Sequence, residues 1–421
     1  MHPQALLDTA SDLLPRVLRL DHPADAVVSR FFREQRQLGP RERATLAETV
    51  YAVLRRKLLY EHLARAGSGP RQRRLAILGF AAPRDVLMPA LIEPEKAWLA
   101  ACDAVAPGEL PPACRHNLPA WLAEPLQTQW GEQFDALAEA LLAPAPLDLR
   151  VNTMLQKREL VAKDLRGLGI ESTLTPYSPW GLRLAAKPSL RKLDAFTRGA
   201  IEVQDEGSQL LALLLQAQRG EMVADFCAGA GGKTLAIGAA MRGTGRLYAF
   251  DVSAHRLEAL QPRLARSGLA NVHPVAIAHE RDQRLQRLAA KLDRVLVDAP
   301  CSGLGTLRRN PDLKWRQSPE AVQALAAAQR AILAGAARLL KPGGRLVYAT
   351  CSLLPAENED VARAFGAAHP DFAPLNAAEL LRALKVPQAD TLCTPGGAHL
   401  RLWPHRHATD GFFAAIWQRK R

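Results

Sequence analysis

Four short apolar runs in the second half of the chain each stop at a polar residue beside a loop. They are Val223 to Phe226, Leu247 to Phe250, Val295 to Val297 and Leu346 to Ala349, followed by Cys227, Asp251, Asp298 and Thr350. Between the last two, VQALAAAQRAILAGAARLLKPGG keeps Leu325, Ile332, Leu339 and Leu340 at helical spacing before Pro342 and two glycines. Strands alternating with helices in this way predict an α/β fold, a Rossmann-like doubly wound parallel sheet, over residues 206–421.

The front of the chain has a different pattern. Residues 1–135 read as an arginine-rich helical domain: in GPRERATLAETVYAVLRRK, Pro40 suits a first helical position and Leu46, Val50, Val53 and Leu54 form one stripe. Arg41, Arg43, Arg55, Arg56 and Lys57 are left for the other faces, and Arg71, Arg73 and Arg74 open a further helix. The proline-dense LLAPAPLDLRVNTM marks a boundary near 143, and LDLRVNT, GLRLA and GAIEVQD predict a small α+β domain over 143–205.

With 421 residues, 48% of them hydrophobic, the chain can fill ordinary cores. A formal net charge of +13 favours a polyanionic partner, nucleic acid above all, over a merely soluble basic surface. Asp8 and Asp12 interrupt what a secretory segment would need, and no long apolar run follows, so a cytoplasmic protein without membrane contact is expected. Six cysteines lack the paired spacing of zinc sites, and His405 and His407 have no companions nearby, so no metal is expected.

Chemistry concentrates at the strand ends. In VADFCAGAGGKT, Cys227, Ala228, Gly229, Ala230, Gly231, Gly232 and Lys233 lie between a strand and a helix, as a cofactor loop would. Cys227 breaks a P-loop match and Thr234 breaks a dinucleotide GxGxxG match, leaving an adenosyl ligand as the best occupant. Asp251 can accept from both ribose hydroxyls or can cap the next helix. The blocks DAPCSG and TCS bring Asp298, Cys301 and Cys351 toward one crevice. Two thiols and a carboxylate suit a pyrimidine, whose carbon 5 becomes nucleophilic once a thiolate adds at carbon 6.

The blocks DFCAGAGGKT, DAPCSGLGTLRRNPDLKW, YATCSLLPAENE and DGFFAA resemble the RsmB/Fmu (Sun) and Nop family of RNA 5-methylcytosine methyltransferases, from about residue 145 onward. The helical front is more loosely similar to a NusB-like RNA-binding domain. The resemblance implies an S-adenosylmethionine-dependent enzyme acting on ribosomal RNA, 16S in particular, with Cys351 as nucleophile and Cys301 assisting breakdown of the adduct. It assigns residues 227–233, Asp251 and Asp298 to the cofactor. DNA cytosine enzymes attack from Pro-Cys-Gln, whereas this chain has Pro-Cys-Ser, which favours RNA.

Two departures stand out. Ala230 replaces the proline of the usual CAAPGGK loop, and His279 stands where a third cofactor carboxylate is usual, with Asp282 as a nearby substitute. Lys233 can contact substrate or cofactor, or cap loop carbonyls. Arg308, Arg309 and Lys314 follow Cys301 and are expected at RNA phosphates. A noncatalytic RNA-binding assembly factor is the competing reading, motivated by His279.

Overall fold

Gly39 donates its N–H to Glu42 at 2.6 Å, and Pro40 fixes the first turn of the helix Pro40–Arg55. Its stripe of Leu46, Val50, Val53 and Leu54 is fully buried in a core shared with helices Pro3–Leu18 and Arg71–Gly79. The structure, a computed structural model, describes residues 2–421 and divides into two compact units. The first comprises residues 2–144 together with Thr306–Pro319, and the second Ala145–Gly305 together with Glu320–Arg421.

The first unit is helical through Phe134–Leu142, past the expected limit near 135. Several of its arginines are structural. Arg55, expected on an outer face, is buried and donates to the Arg308 carbonyl at 3.3 Å. Arg73 is held by Glu95 at 2.6 Å and by Asp8 at 2.9 Å.

Thr306–Pro319 departs from a continuous 206–421 domain, because its side chains are satisfied inside the helical unit. Trp315 donates its indole N–H to the Leu54 carbonyl at 2.7 Å, and Asp312 accepts from the Ala24 N–H at 3.2 Å. Lys314 is 2% exposed and donates to the Arg55 carbonyl at 2.8 Å. The phosphate contact expected of Lys314 is therefore corrected: its ammonium points into protein. Burial, reinforced by Arg55 and Arg56, pushes that ammonium well below its ordinary range.

The second unit carries two sheets. Strands β1 (Leu147–Val151), β2 (Ser172–Leu174), β3 (Gly181–Leu184) and β4 (Ile201–Val203) form an antiparallel sheet in the order β2-β3-β1-β4. Leu149, Val151, Leu182 and Ile201 bury its apolar face against Val161 and Leu165 of helix Arg158–Gly167.

The larger sheet contains β5 (Met222–Asp225), β6 (Arg246–Asp251), β7 (Val272–Ala276), β8 (Leu292–Asp298), β9 (Leu340–Thr350), β10 (Phe372–Leu375), β11 (Leu400–Leu402) and β12 (Phe412–Arg419). Its order is β10-β12-β9-β8-β5-β6-β7, with β11 beside β12. Strands β5 to β9 pair in parallel, and β12 runs antiparallel to β9 with Phe413 opposite Thr350. Leu210, Leu211 and Ile237 cover one face, Leu333, Val361 and Phe365 the other, as a doubly wound sheet requires.

The helix expected to include Leu339 and Leu340 ends at Ala337. Both leucines are buried beyond it, and β9 begins at Leu340 and takes in Pro342. Pro274 lies in β7, an edge strand, where a missing N–H is tolerated. Among the described residues no helix is long and apolar enough to cross a membrane.

Candidate active site

β5 pairs with β8 on one side and β6 on the other, so chain direction around the sheet reverses there and the carboxyl ends open a crevice. A cavity of about 510 Å³ occupies it. The loops after five parallel strands supply its walls: Cys227, Asp251 with Val252, Ile277 through Glu280, Asp298 through Cys301, and Cys351. A larger cavity of about 730 Å³ among Arg382, Cys393 and His407 includes no residue of either cysteine loop. Among the described residues, no group of three or more His, Cys, Asp or Glu is arranged to hold a metal.

Cys301 and Cys351 are free thiols with their sulfurs 3.4 Å apart. The hydrogen bond to Cys351, then burial, pushes the Cys301 thiol well above its ordinary range. Lys233 donates to Asp298 at 2.7 Å. Burial pulls the Lys233 ammonium down, but the charge and hydrogen bond of Asp298, with Cys351 and Asp225 adding attraction, outweigh that pull and raise it.

The cysteine loops are tied together underneath by Glu357, which sequence reasoning missed although it lies within YATCSLLPAENE. Its fully buried carboxylate accepts from the Ser302 N–H at 2.8 Å, the Ser302 hydroxyl at 2.5 Å, the Ser352 hydroxyl and the Gln329 amide at 3.0 Å. Ser302 and Ser352 directly follow the two cysteines. One carboxylate thus fixes both loops.

The glycine turn is built differently from expectation. Of residues 227–233 only Cys227 lines the cavity; Ala228, Gly229, Ala230, Gly231 and Gly232 form the turn behind it. A β-carbon at Gly231 would stand 2.1 Å from the Leu260 side chain, and one at Gly229 would stand 2.5 Å from Arg256. The missing side chains admit protein neighbours as well as leaving backbone accessible. Gly229, at φ +55, donates its N–H to Asp251 at 2.7 Å, and Ser253 donates to the other oxygen at 2.8 Å.

His279 lines the cavity and is exposed, and its Nδ1 accepts from the Arg281 N–H at 3.1 Å. Asp282 is spent on the backbone N–H groups of Ala278 and Arg284, at 2.8 and 2.9 Å. Glu280, Val252 and Arg256 also line the cavity and were not anticipated. Arg308, Arg309 and Lys314 belong to the helical unit.

Asp225, beneath the turn, accepts from the Thr234 hydroxyl at 2.7 Å, while its other oxygen is buried without a partner. Burial pushes its carboxyl from an ordinary 3.8 up to about 7 against that hydrogen bond. Between these values the folded chain binds more protons than the unfolded one, so stability falls as pH rises through the window. Asp225→Asn should flatten the change in urea midpoint between about pH 4 and 7. An unchanged pH profile in the variant contradicts this assignment.

The family model described as 16S rRNA methyltransferase RsmB/F matches residues 212–418, and that of the RsmF/B-like ferredoxin-like domain matches residues 118–191. A ribosomal RNA small subunit methyltransferase B of Pseudomonas putida is 35% identical over 307 residues, 73% of this chain and 67% of the relative. The chain belongs to the RsmB/F family. Its similarity extends to a probable ribosomal RNA small subunit methyltransferase B of Synechocystis, 37% identical over 303 residues, 72% of this chain and 66% of the relative. The chain thus spans slightly less than two thirds of the length of that relative. The RsmB/F chain superposes on the crystal structure of PH0851 with a TM-score of 0.81 at 25% identity, covering 100% of this chain and 99% of that one. With a methyltransferase homolog protein from Pyrococcus horikoshii the TM-score is 0.62 at 30% identity, covering 75% and 100%.

The RsmB/F family is one of S-adenosylmethionine-dependent methyltransferases, and the residues present fit that cofactor. Asp251 has used two acceptor positions on backbone and keeps others for ribose hydroxyls. Val252, 69% exposed, and the buried Ile277 offer apolar surface to a purine face.

Proposed function

We propose that this RsmB/F chain methylates carbon 5 of a cytosine in small-subunit ribosomal RNA, with Cys351 as covalent nucleophile. The observation that carries this reading is a pair of sulfurs 3.4 Å apart on the wall of a cavity that also holds Asp251 and Asp298. S-adenosylmethionine, when bound, supplies the methyl group. Cys227, Asp251, Asp298 and His279 would hold it there, with the turn Ala228 to Gly232 shaping that wall.

The attacking sulfur in this reading is Cys351, the role that the resemblance assigns to it, with the Cys301 thiol 3.4 Å away. The sulfur bonds to carbon 6 of the ring, and the displaced electron pair gives carbon 5 enamine character. Lys233, held by Asp298, supplies a donor to the ring edge where negative charge develops, while Asp298 accepts from the exocyclic amine. After methylation the carbon 5 proton passes to solvent, its electron pair re-forms the ring double bond and the Cys351 sulfur departs as thiolate. The Cys301 thiol donates to that departing sulfur.

RNA carrying 5-fluorocytidine tests the reading, since fluorine cannot leave carbon 5 as a proton does. With S-adenosylmethionine present, a stable protein–RNA adduct should map to the peptide containing Cys351; methylated product without any adduct refutes the covalent route. The noncatalytic assembly-factor reading draws on His279 at the cofactor wall and requires RNA binding with no methyl transfer.

RNA affinity offers a second check. Lys314→Met should leave the slope of log affinity against log salt unchanged, because the ammonium is engaged inside the helical unit. A lysine that neutralised a phosphate would lower that slope by about one unit.

A further inference from the structure

We propose that Glu202 and Arg263 brace the glycine turn, making Arg263 a positioning residue for the methyl donor; this rests on the cofactor reading above. Glu202 stands on β4 of the small sheet and is 4% exposed. Its carboxylate receives two arginines from helix Ala254–Ser267: Arg263 at 2.9 Å and Arg266 at 2.5 Å. Only Arg263 reaches onward, donating to the carbonyl of Ala230 at 2.5 Å.

The turn needs outside support. Gly229 and Gly231 both hold positive φ, +55 and +84, and Ala230 between them is exposed and carries no ring to fix its φ. Arg150, wholly buried on β1, donates to the Gly232 carbonyl at 3.2 Å, so the small sheet grips the turn at two carbonyls. The sheet is anchored in turn to the same helix. A β-carbon at Gly199 would stand 2.2 Å from the Arg266 carbonyl oxygen, and Asn152 donates to the Ser267 carbonyl at 3.0 Å.

Position then passes along the backbone. Where Arg263 holds Ala230, the neighbouring Gly229 N–H is aimed at Asp251, the carboxylate to which the cofactor reading assigns the ribose. A guanidinium's planar fork suits this, because one face serves the carboxylate while another donor serves a carbonyl. The small sheet therefore sets the cofactor carboxylate as well as standing beside it.

The two arginines provide an internal control on the full chain. Arg263→Met should raise the calorimetric Kd for S-adenosylmethionine about 10-fold or more, the usual cost of losing an outer partner of a binding group. Arg266→Met removes a partner of the same carboxylate and a cation stacked 4.4 Å over Phe196, so it should lower the unfolding midpoint while leaving that Kd within about two-fold. Glu202→Gln should weaken cofactor binding and be non-additive with Arg263→Met. Equal weakening by both arginine variants, or wild-type affinity in Arg263→Met, overturns the brace. Should Arg263→Met fail to fold, Arg263→Lys must show the same loss, and normal affinity in that variant overturns the brace as well. Failure of the wild-type chain to bind S-adenosylmethionine at all removes the cofactor reading itself.

Discussion

Cys351→Ala should lower methyl transfer at least about 10⁴-fold and yield no covalent complex with RNA, since the proposed nucleophile is gone. Cys301→Ala should behave in the opposite way. With no thiol 3.4 Å away to receive the departing Cys351 sulfur, the adduct still forms but resolves slowly and accumulates. Denaturing gels of each variant incubated with RNA and cofactor distinguish the two. Adducts in the Cys351 variant, or none in the Cys301 variant, would exchange the roles assigned here.

Glu357→Ala should cost about 3 to 5 kcal/mol of stability, because four donors that it satisfies would be left buried without their acceptor. The effect should extend to chemistry. Ser302 and Ser352 are both bound to this carboxylate, so its loss frees the two cysteine-bearing loops from each other. Adduct formation should fall with stability even at temperatures where the variant remains folded, as circular dichroism can verify. A variant with a wild-type unfolding midpoint and normal adduct formation would show that the loops are held some other way.

Four of the five parallel strands, β5, β6, β8 and β9, were legible because each buried run ends abruptly at a polar residue, whereas the half-buried edge strand β7 was not read; the helical stripe of Leu46, Val50, Val53 and Leu54 was legible because its period is unambiguous. β12 was not read as a strand, since a strand buried on both faces, as FFAAIW is, carries no alternation. Cys301, Cys351, Asp298, Asp251, Cys227 and His279 were all named from the sequence, and all line one cavity. Lys314 misled, because a lysine near a catalytic block looks like a phosphate contact until Arg55 and Trp315 are seen to enclose it. Glu357 and Arg263 escaped notice for a related reason. Their roles depend on partners distant in the chain, such as Ser302 and Glu202, and sequence spacing alone does not pair them.

The same physics explains why Thr306–Pro319, although inside the stretch that the methyltransferase family model matches, groups with the helical unit. Its closeness in sequence to Cys301 suggested the catalytic domain, but Trp315 and Asp312 find their hydrogen-bond partners among helices near the start of the chain.

The most direct measurement uses small-subunit ribosomal RNA from cells lacking this protein, incubated with the purified chain and methyl-labelled S-adenosylmethionine, then digested to nucleosides. The label should appear in 5-methylcytidine and map to a defined cytosine. Label on another base or another atom of cytosine, or none while the protein binds both RNA and cofactor, would contradict attack by Cys351 at a pyrimidine ring.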